Sequence, residues 1–378
     1  MIDLDMKEIV DAVGTNDITE AIRVYTSGGG GLCVQADVDD TAINQCTAVG
    51  DVKGNSVKGS GAIRTIQGFA TAGEAKMTAW TTFPIYKAYY NDFNYADTFI
   101  TAAATQTNAN AVDDQFRQQM IKKGAAYMAV WQYVLHEFED AIADCTAGDV
   151  TANDDSVHAW DTGWAFYAGS QTGTDGSADT GDLLYGLAAS RASNFGTTGA
   201  SDANSLALAA ANAGRDLITT AVCTGAVAEL KTITEQMTIP LIQGTLKYAW
   251  ESDPAQTGSA CAGQTTSFDA SCSKAWAEGW TFASAILPQL SASAAAIVTT
   301  NLAASATAPM AGGLAAVKLA IESSYPAMGV TCDGVGEYQS SGVVFAGAEK
   351  CTDPVASSDA ATAPALAFGA AAAAAMFL

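Results

Sequence analysis

A chain of 378 residues with 49% hydrophobic and only 15% charged residues is long and apolar enough to bury one large or two medium cores, which excludes a disordered chain. With 40 Asp and Glu against 17 Lys and Arg, the formal net charge is −23, so nucleic acid and anionic membrane are poor partners, because phosphate recognition needs clustered Lys or Arg. Metal cations are drawn by the same field, although solubility in a salty medium also accounts for the charge.

Helical periodicity dominates and long alternating strand patterns are lacking, which predicts a mainly α fold, a helical repeat or bundle assembly with disulfide-closed loops. Helices are expected at about 16–26, 62–91, 112–143, 157–169, 182–193, 203–220, 225–252, 273–305 and 312–324. Gly, Asp, Ser, Thr and Asn cluster between them, as in Gly28–Gly31 and Gly173–Gly181. Pro84 and Pro240 fall inside long helical stretches and are expected to kink them. Residues 15–150 and 151–345 read as related halves of one helical domain, with a cleft between the halves as a natural ligand site. Residues 346–378 read as a tail.

The most informative stretch is Ala159-Trp160-Asp161-Thr162-Gly163-Trp164-Ala165-Phe166-Tyr167-Ala168-Gly169-Ser170, because part of it returns as Ala275-Trp276-Ala277-Glu278-Gly279-Trp280-Thr281-Phe282-Ala283-Ser284. A fainter copy, Ile18 to Gly28, keeps an acid at Glu20 and an aromatic at Tyr25. On a helix Trp160, Gly163, Trp164 and Tyr167 share one face, where the glycine lets a neighbouring helix approach between the indoles. Packing alone explains those aromatics.

The run from Asp161 to Ser170, the polar loop after it and Gly181-Asp182-Leu183-Leu184-Tyr185-Gly186-Leu187-Ala188-Ala189-Ser190-Arg191-Ala192-Ser193-Asn194-Phe195-Gly196 resemble the low-iron-inducible periplasmic proteins of algae. These are the Fea1-domain iron-assimilation proteins, sometimes grouped with the algal phytotransferrins. The likeness is sharpest over 159–196 and weaker over most of 15–345. It implies a secreted or cell-surface protein that captures ferric iron, with an uptake partner not identified by the sequence. The E-x-x-E pairs of the family are absent in strict form, Glu137 to Asp140 being the nearest match. The transferrin analogy suggests that Arg191 holds a synergistic anion such as carbonate against the metal.

Eight cysteines are read as four disulfides formed in an oxidising compartment, since no C-x-x-C occurs and only two histidines exist to share a zinc site. The shortest closures pair Cys33 with Cys46, Cys261 with Cys272 and Cys332 with Cys351, with the more distant Cys145 and Cys223 as the fourth pair, and the sequence leaves the connectivity open. Met1 to Glu8 has neither the basic nor the apolar region of a secretory leader, so one is expected to have been removed or to lie outside this sequence. Ala360 to Leu378 carries no charge and follows Ser357 and Ser358, a pattern read as a lipid-anchor signal and hence a route to membrane association.

The best metal-binding chemistry lies on the helix through Trp131-Gln132-Tyr133-Val134-Leu135-His136-Glu137-Phe138-Glu139-Asp140. Glu139 projects onto the apolar face beside Leu135, His136 lies at its edge and Asp140 one step further out, so both carboxylates are spaced to converge with the imidazole. A carboxylate on an apolar face is costly unless paired or metal-bound, and ferric iron favours hard oxygen donors. The competing reading is that His136 and Glu139 satisfy one another or an arginine. Glu137 projects away and is expected to be solvated. A second set comprises Glu20, Asp161, Tyr167 and Glu278, whose acids also read as helix-dipole partners. No G-x-S-x-G, P-loop or H-E-x-x-H is present, which argues against an enzyme. The alternative class is an acidic cell-surface scaffold with no specific metal site.

Overall fold

Runs rich in Ala, Leu, Met and Gln form helices over most of the described residues, which in this computed structural model are 2–28, 64–105, 114–150, 155–169, 181–199 and 202–353. The expected mainly α fold is found, and the only sheet among these residues is a two-residue antiparallel ladder pairing Gln339–Ser340 with Val343–Val344.

The chain opens with α1 (Ile2–Gly14), which the periodicity did not reveal, and α2 (Ile18–Ser27), capped by Asp17 accepting from the Glu20 N–H. The helix expected over 62–91 is instead three short pieces, α3 (Ile66–Ala70), α4 (Gly73–Lys76) and α5 (Phe83–Tyr90). Pro84 starts the last of them, where its missing N–H leaves no bond unmade, rather than kinking a longer helix. After α6 (Tyr95–Thr105), α7 (Asp114–Gly124) passes through a π-helical turn, Ala125–Val130, into α8 (Trp131–Ala147). Then come α9 (Ser156–Ala168), α10 (Leu184–Phe195), α11 (Ala203–Thr219) and α12 (Cys223–Ser252), which continues past Pro240. The stretch expected as one helix over 273–305 divides into α13 (Ala270–Ile286), a 3-10 turn at Leu287–Gln289 holding Pro288, and α14 (Ala292–Leu302). The short helices α15 (Gly313–Glu322), α16 (Tyr325–Met328) and α17 (Cys332–Val335) follow.

The rod formed by α7, the π turn and α8 is the spine of the core. It packs α7 on α13 and α8 on both α9 and α12, while α12 also packs on α11 and α13. One buried apolar cluster runs through all of these helices. The repeated motif explains two of the contacts in the same way. Trp160 donates to the Ala211 carbonyl and Trp276 to the Leu302 carbonyl, each at 2.8 Å. Gly163 lies against the Phe138 ring and its counterpart Gly279 against Leu302 and Tyr248, so the missing side chain permits close helix approach in both copies.

Disulfides join Cys145 to Cys223, Cys261 to Cys272 and Cys332 to Cys351, as expected. Cys33, Cys46 and the segment from Ala360 to Leu378 lie outside the described residues.

The tightest glycine inside a helix is on α11. A methyl on Gly214 would stand 2.1 Å from the Trp160 ring, which is itself held by its bond to Ala211. Gly214→Ala is therefore expected to cost about 3 kcal/mol, at the top of the usual range for overpacking, read from urea unfolding. Gly14→Ala, with nothing within 4 Å of the new methyl, should instead be neutral or gain up to about 1 kcal/mol.

Candidate metal and anion site

The helix α8 carries the residues best spaced for metal binding, and its environment redirects them. Trp80 Nε1 donates to His136 Nδ1 at 3.0 Å. A neutral imidazole has one lone pair, so this bond sets the proton on Nε2 and occupies the electrons a metal would need. Glu139 Oε1 accepts from the Thr81 N–H at 3.0 Å and the Thr81 hydroxyl at 2.7 Å, while its second oxygen is buried without a hydrogen-bond partner. Burial raises the Glu139 carboxyl above its usual range, against the pull of those bonds. His136 and Glu139 thus do not meet one another; each ties the link between α4 and α5 to α8.

Glu137 is buried, at 6% exposure, and not solvated as its place on the helix predicts. The covering segment from Arg64 to Trp80 folds over the polar side of α8, so a helix read as having one wet face has none along Trp131–Glu139. Burial raises the Glu137 carboxyl, opposed by Arg64 and Lys76 and by a hydrogen bond from Tyr133. Asp140 is half-buried and raised by burial, with Lys76 opposing. The nearest match to the E-x-x-E spacing is therefore a buried charge cluster balanced by its own cations.

Most of the second set is dispersed. Glu20 takes two bonds from Arg23, at 2.6 and 2.7 Å, on the surface. Asp161 takes two from Arg215, at 2.7 and 3.1 Å, also exposed. The Tyr167 hydroxyl donates to Asn204 Oδ1 at 2.6 Å in the core, and burial raises its pKa. Among the described residues no three His, Cys, Asp or Glu side chains are gathered to hold a metal.

Glu278 is different, because it is the copy of the repeat acid that the fold buries. It projects from α13 toward Lys123 at the end of α7, with Nζ 3.1 Å from Oε1, and Tyr248 of α12 donates its hydroxyl to it. Three rings stack beside the pair: Tyr127 of the π turn on Phe282 at 5.2 Å, and Tyr248 on Phe282 at 5.8 Å. Two more cations close in. Arg191 of α10 is buried with its carbon 5.6 Å from the Tyr248 ring, and Lys247 lies 5.5 Å from the same ring. Both donate to Asn194 Oδ1, at 2.6 and 3.2 Å, while Arg191 Nε has no hydrogen-bond partner.

The charges in this cluster do not balance. Burial pulls Lys123 down to about 8; Glu278 opposes this, but Lys122 and Arg191 add to the fall. Burial works against the Glu278 charge, yet Lys123 and the Tyr248 hydroxyl outweigh it and hold the carboxyl below its usual value. Lys247 is lowered by burial and then by Arg191. The other acids stand at the rim: Glu251 accepts from the Tyr338 hydroxyl at 2.6 Å, and Asp182 is half-buried. Burial raises the phenols of Tyr127 and Tyr248 well above their usual value, so both are neutral at physiological pH.

Of these residues the sequence reading named Arg191 and Glu278 and missed Lys123, Tyr127, Lys247 and Tyr248. A Lys or Arg set in an apolar run, as in Leu246-Lys247-Tyr248, was the available signal in a chain with only 17 cationic residues. The π turn was not legible, although such turns recur at functional sites because they re-aim one residue within a helix.

No helix among the described residues is long and apolar enough to cross a membrane. Comparison with known proteins finds one family model, that of the low iron-inducible periplasmic protein, matching residues 1–359. No curated protein and no solved structure matches the chain. A match across nearly the whole sequence, with the helical and disulfide-bonded fold described above, places this chain in the Fea1 family of low iron-inducible periplasmic proteins.

Proposed function

We propose that this protein captures ferric iron in the periplasm or at the cell surface for assimilation, taking the metal at Glu278, Tyr248 and Tyr127 together with a small oxyanion such as carbonate. The observation that carries the reading is the imbalance of three cations, the buried Arg191 and the partly buried Lys123 and Lys247, around a single buried carboxylate beside two phenols. Phenolate and carboxylate are the hard oxygen donors that suit a trivalent ion. On its own the cluster repels a cation; an oxyanion seated on the free Arg191 Nε reverses the sign and supplies further oxygen donors. Iron is cargo here, and the site needs only to bind and release it.

Protein purified without chelators and titrated with a ferric chelate in bicarbonate should take up iron saturably. It should also develop a visible phenolate-to-iron absorption band. Tyr248→Phe should weaken that band and lower affinity at least tenfold, the usual scale for losing a ligand or its immediate support. Glu139→Gln should leave both unchanged. A protein that never saturates favours the scaffold reading, and a band insensitive to Tyr248→Phe places the iron elsewhere.

A further inference from the structure

The junction between α8 and α9 holds a second unbalanced cluster, of the opposite sign and independent of the iron reading. α8 ends at Gly148, and the Asp149 N–H returns to the Asp144 carbonyl at 3.0 Å. The Ser156 N–H then donates to the Asp149 carbonyl at 3.4 Å, so the backbones of residues 144, 149 and 156 are brought together. The Cys145–Cys223 bridge fixes this junction to the start of α12.

Asp155 stands at the N-cap of α9 but makes no cap bond. Asp17, Asp202 and Asp269, at the same position of α2, α11 and α13, each accept a backbone N–H three residues on. Asp155 is instead 2% exposed with Oδ2 unpartnered, and the hydroxyl of fully buried Ser156 beside it is also unpartnered. A buried carboxylate oxygen and a buried hydroxyl without partners are costly unless something supplies positive charge. The described groups around this junction are acidic: burial and then Asp140, Asp149 and Asp155 raise the Asp144 carboxyl, and among the described residues no cation opposes them there. Lys76 reaches only as far as Asp140.

We infer that Asp155, Asp144 and the Ser156 hydroxyl, with Asp149 at the rim, form a calcium site at the α8–α9 junction. Calcium suits the position because it accepts carboxylate, hydroxyl, carbonyl and water oxygens in irregular geometry, whereas magnesium demands a near-ideal octahedron. The carboxylates are not already gathered on one point; Asp144 is half-buried and Asp149 exposed, so both are free to turn inward on the ion while Asp155 stays fixed. Few carboxylates and a partly open site correspond to the weak affinity of extracellular modules, a Kd of about 10⁻⁴ to 10⁻³ M.

The test uses the full chain stripped with chelator, titrated with CaCl2 to about 10 mM, an order above that weak range, and followed by calorimetric binding and by the thermal midpoint. Calcium should bind once and raise the midpoint, with equimolar magnesium giving little response. Asp155→Asn keeps the shape and caps helices well, so it should fold; it should lower calcium affinity at least tenfold. Asp161→Asn, on the exposed face of the same helix, should leave calcium binding intact. Iron uptake should be unaffected by Asp155→Asn, which separates this site from the one at Glu278. No calcium response in the wild type, an equal response to magnesium, or full calcium affinity in Asp155→Asn would each overturn the assignment.

Discussion

Replacing Cys145 and Cys223 together by alanine should cost about 4 to 5 kcal/mol of folding stability, more than the loss of either other described bridge. The bridge closes 78 residues, and in the chain-entropy model a loop of that length restricts the unfolded ensemble far more than the closures of 11 and 19 residues formed by the other two described bridges. It also joins the end of α8 to the start of α12, which pack against one another, so its removal frees two elements of the core. Denaturant unfolding of the double variant should show the midpoint falling, with a larger slope as the unfolded state expands. Loss of the Cys261–Cys272 bridge should cost about 3 kcal/mol or less. Equal costs for the two bridges would mean that loop length is not what sets their value.

The architecture was legible where one helix face repeats a simple pattern. Trp160 and Gly163, returning as Trp276 and Gly279, announced two helices that pack closely through a glycine, and the structure gives both glycines a neighbour in that gap. Cysteine spacing likewise indicated the three described bridges. The failures have a common origin in what a wheel assumes. It treats a helix as half wet, and Glu137 is dry because a separate segment, Arg64 to Trp80 with α3 and α4, lies over the face that should have met solvent. It also assumes a constant turn angle, and the π turn at Ala125–Val130 shifts Lys123 and Tyr127 relative to everything beyond Trp131. The cluster at Glu278 draws on α7, α10, α12 and α13, so its members share no spacing for a sequence to reveal.

Ferric affinity should fall steeply as pH is lowered, and Glu278→Gln should abolish high-affinity uptake. The phenols of Tyr127 and Tyr248 are raised by burial and remain protonated in the iron-free protein, so each that ligates the metal must release a proton. One proton displaced costs a factor of ten in affinity per pH unit lowered, and two cost about a hundred. Lys123 adds to this in the same direction. Its amine titrates at about 8, so below that pH the ammonium holds Glu278 and places a positive charge where the metal would sit, whereas above it the carboxylate is released to the metal. The slope of log affinity against pH should therefore be steeper below about 8 than above it. Gln at 278 removes the only buried anion of the cluster and leaves Lys123, Arg191 and Lys247 facing a trivalent ion, a loss well beyond the tenfold expected for Tyr248→Phe. Competition against a chelator of known proton dependence, at fixed carbonate, measures both effects. An affinity independent of pH between 6 and 9, or one retained in Glu278→Gln, would place the iron outside this cluster. A steep profile that loses its break near 8 in Lys123→Met would tie that break to Lys123.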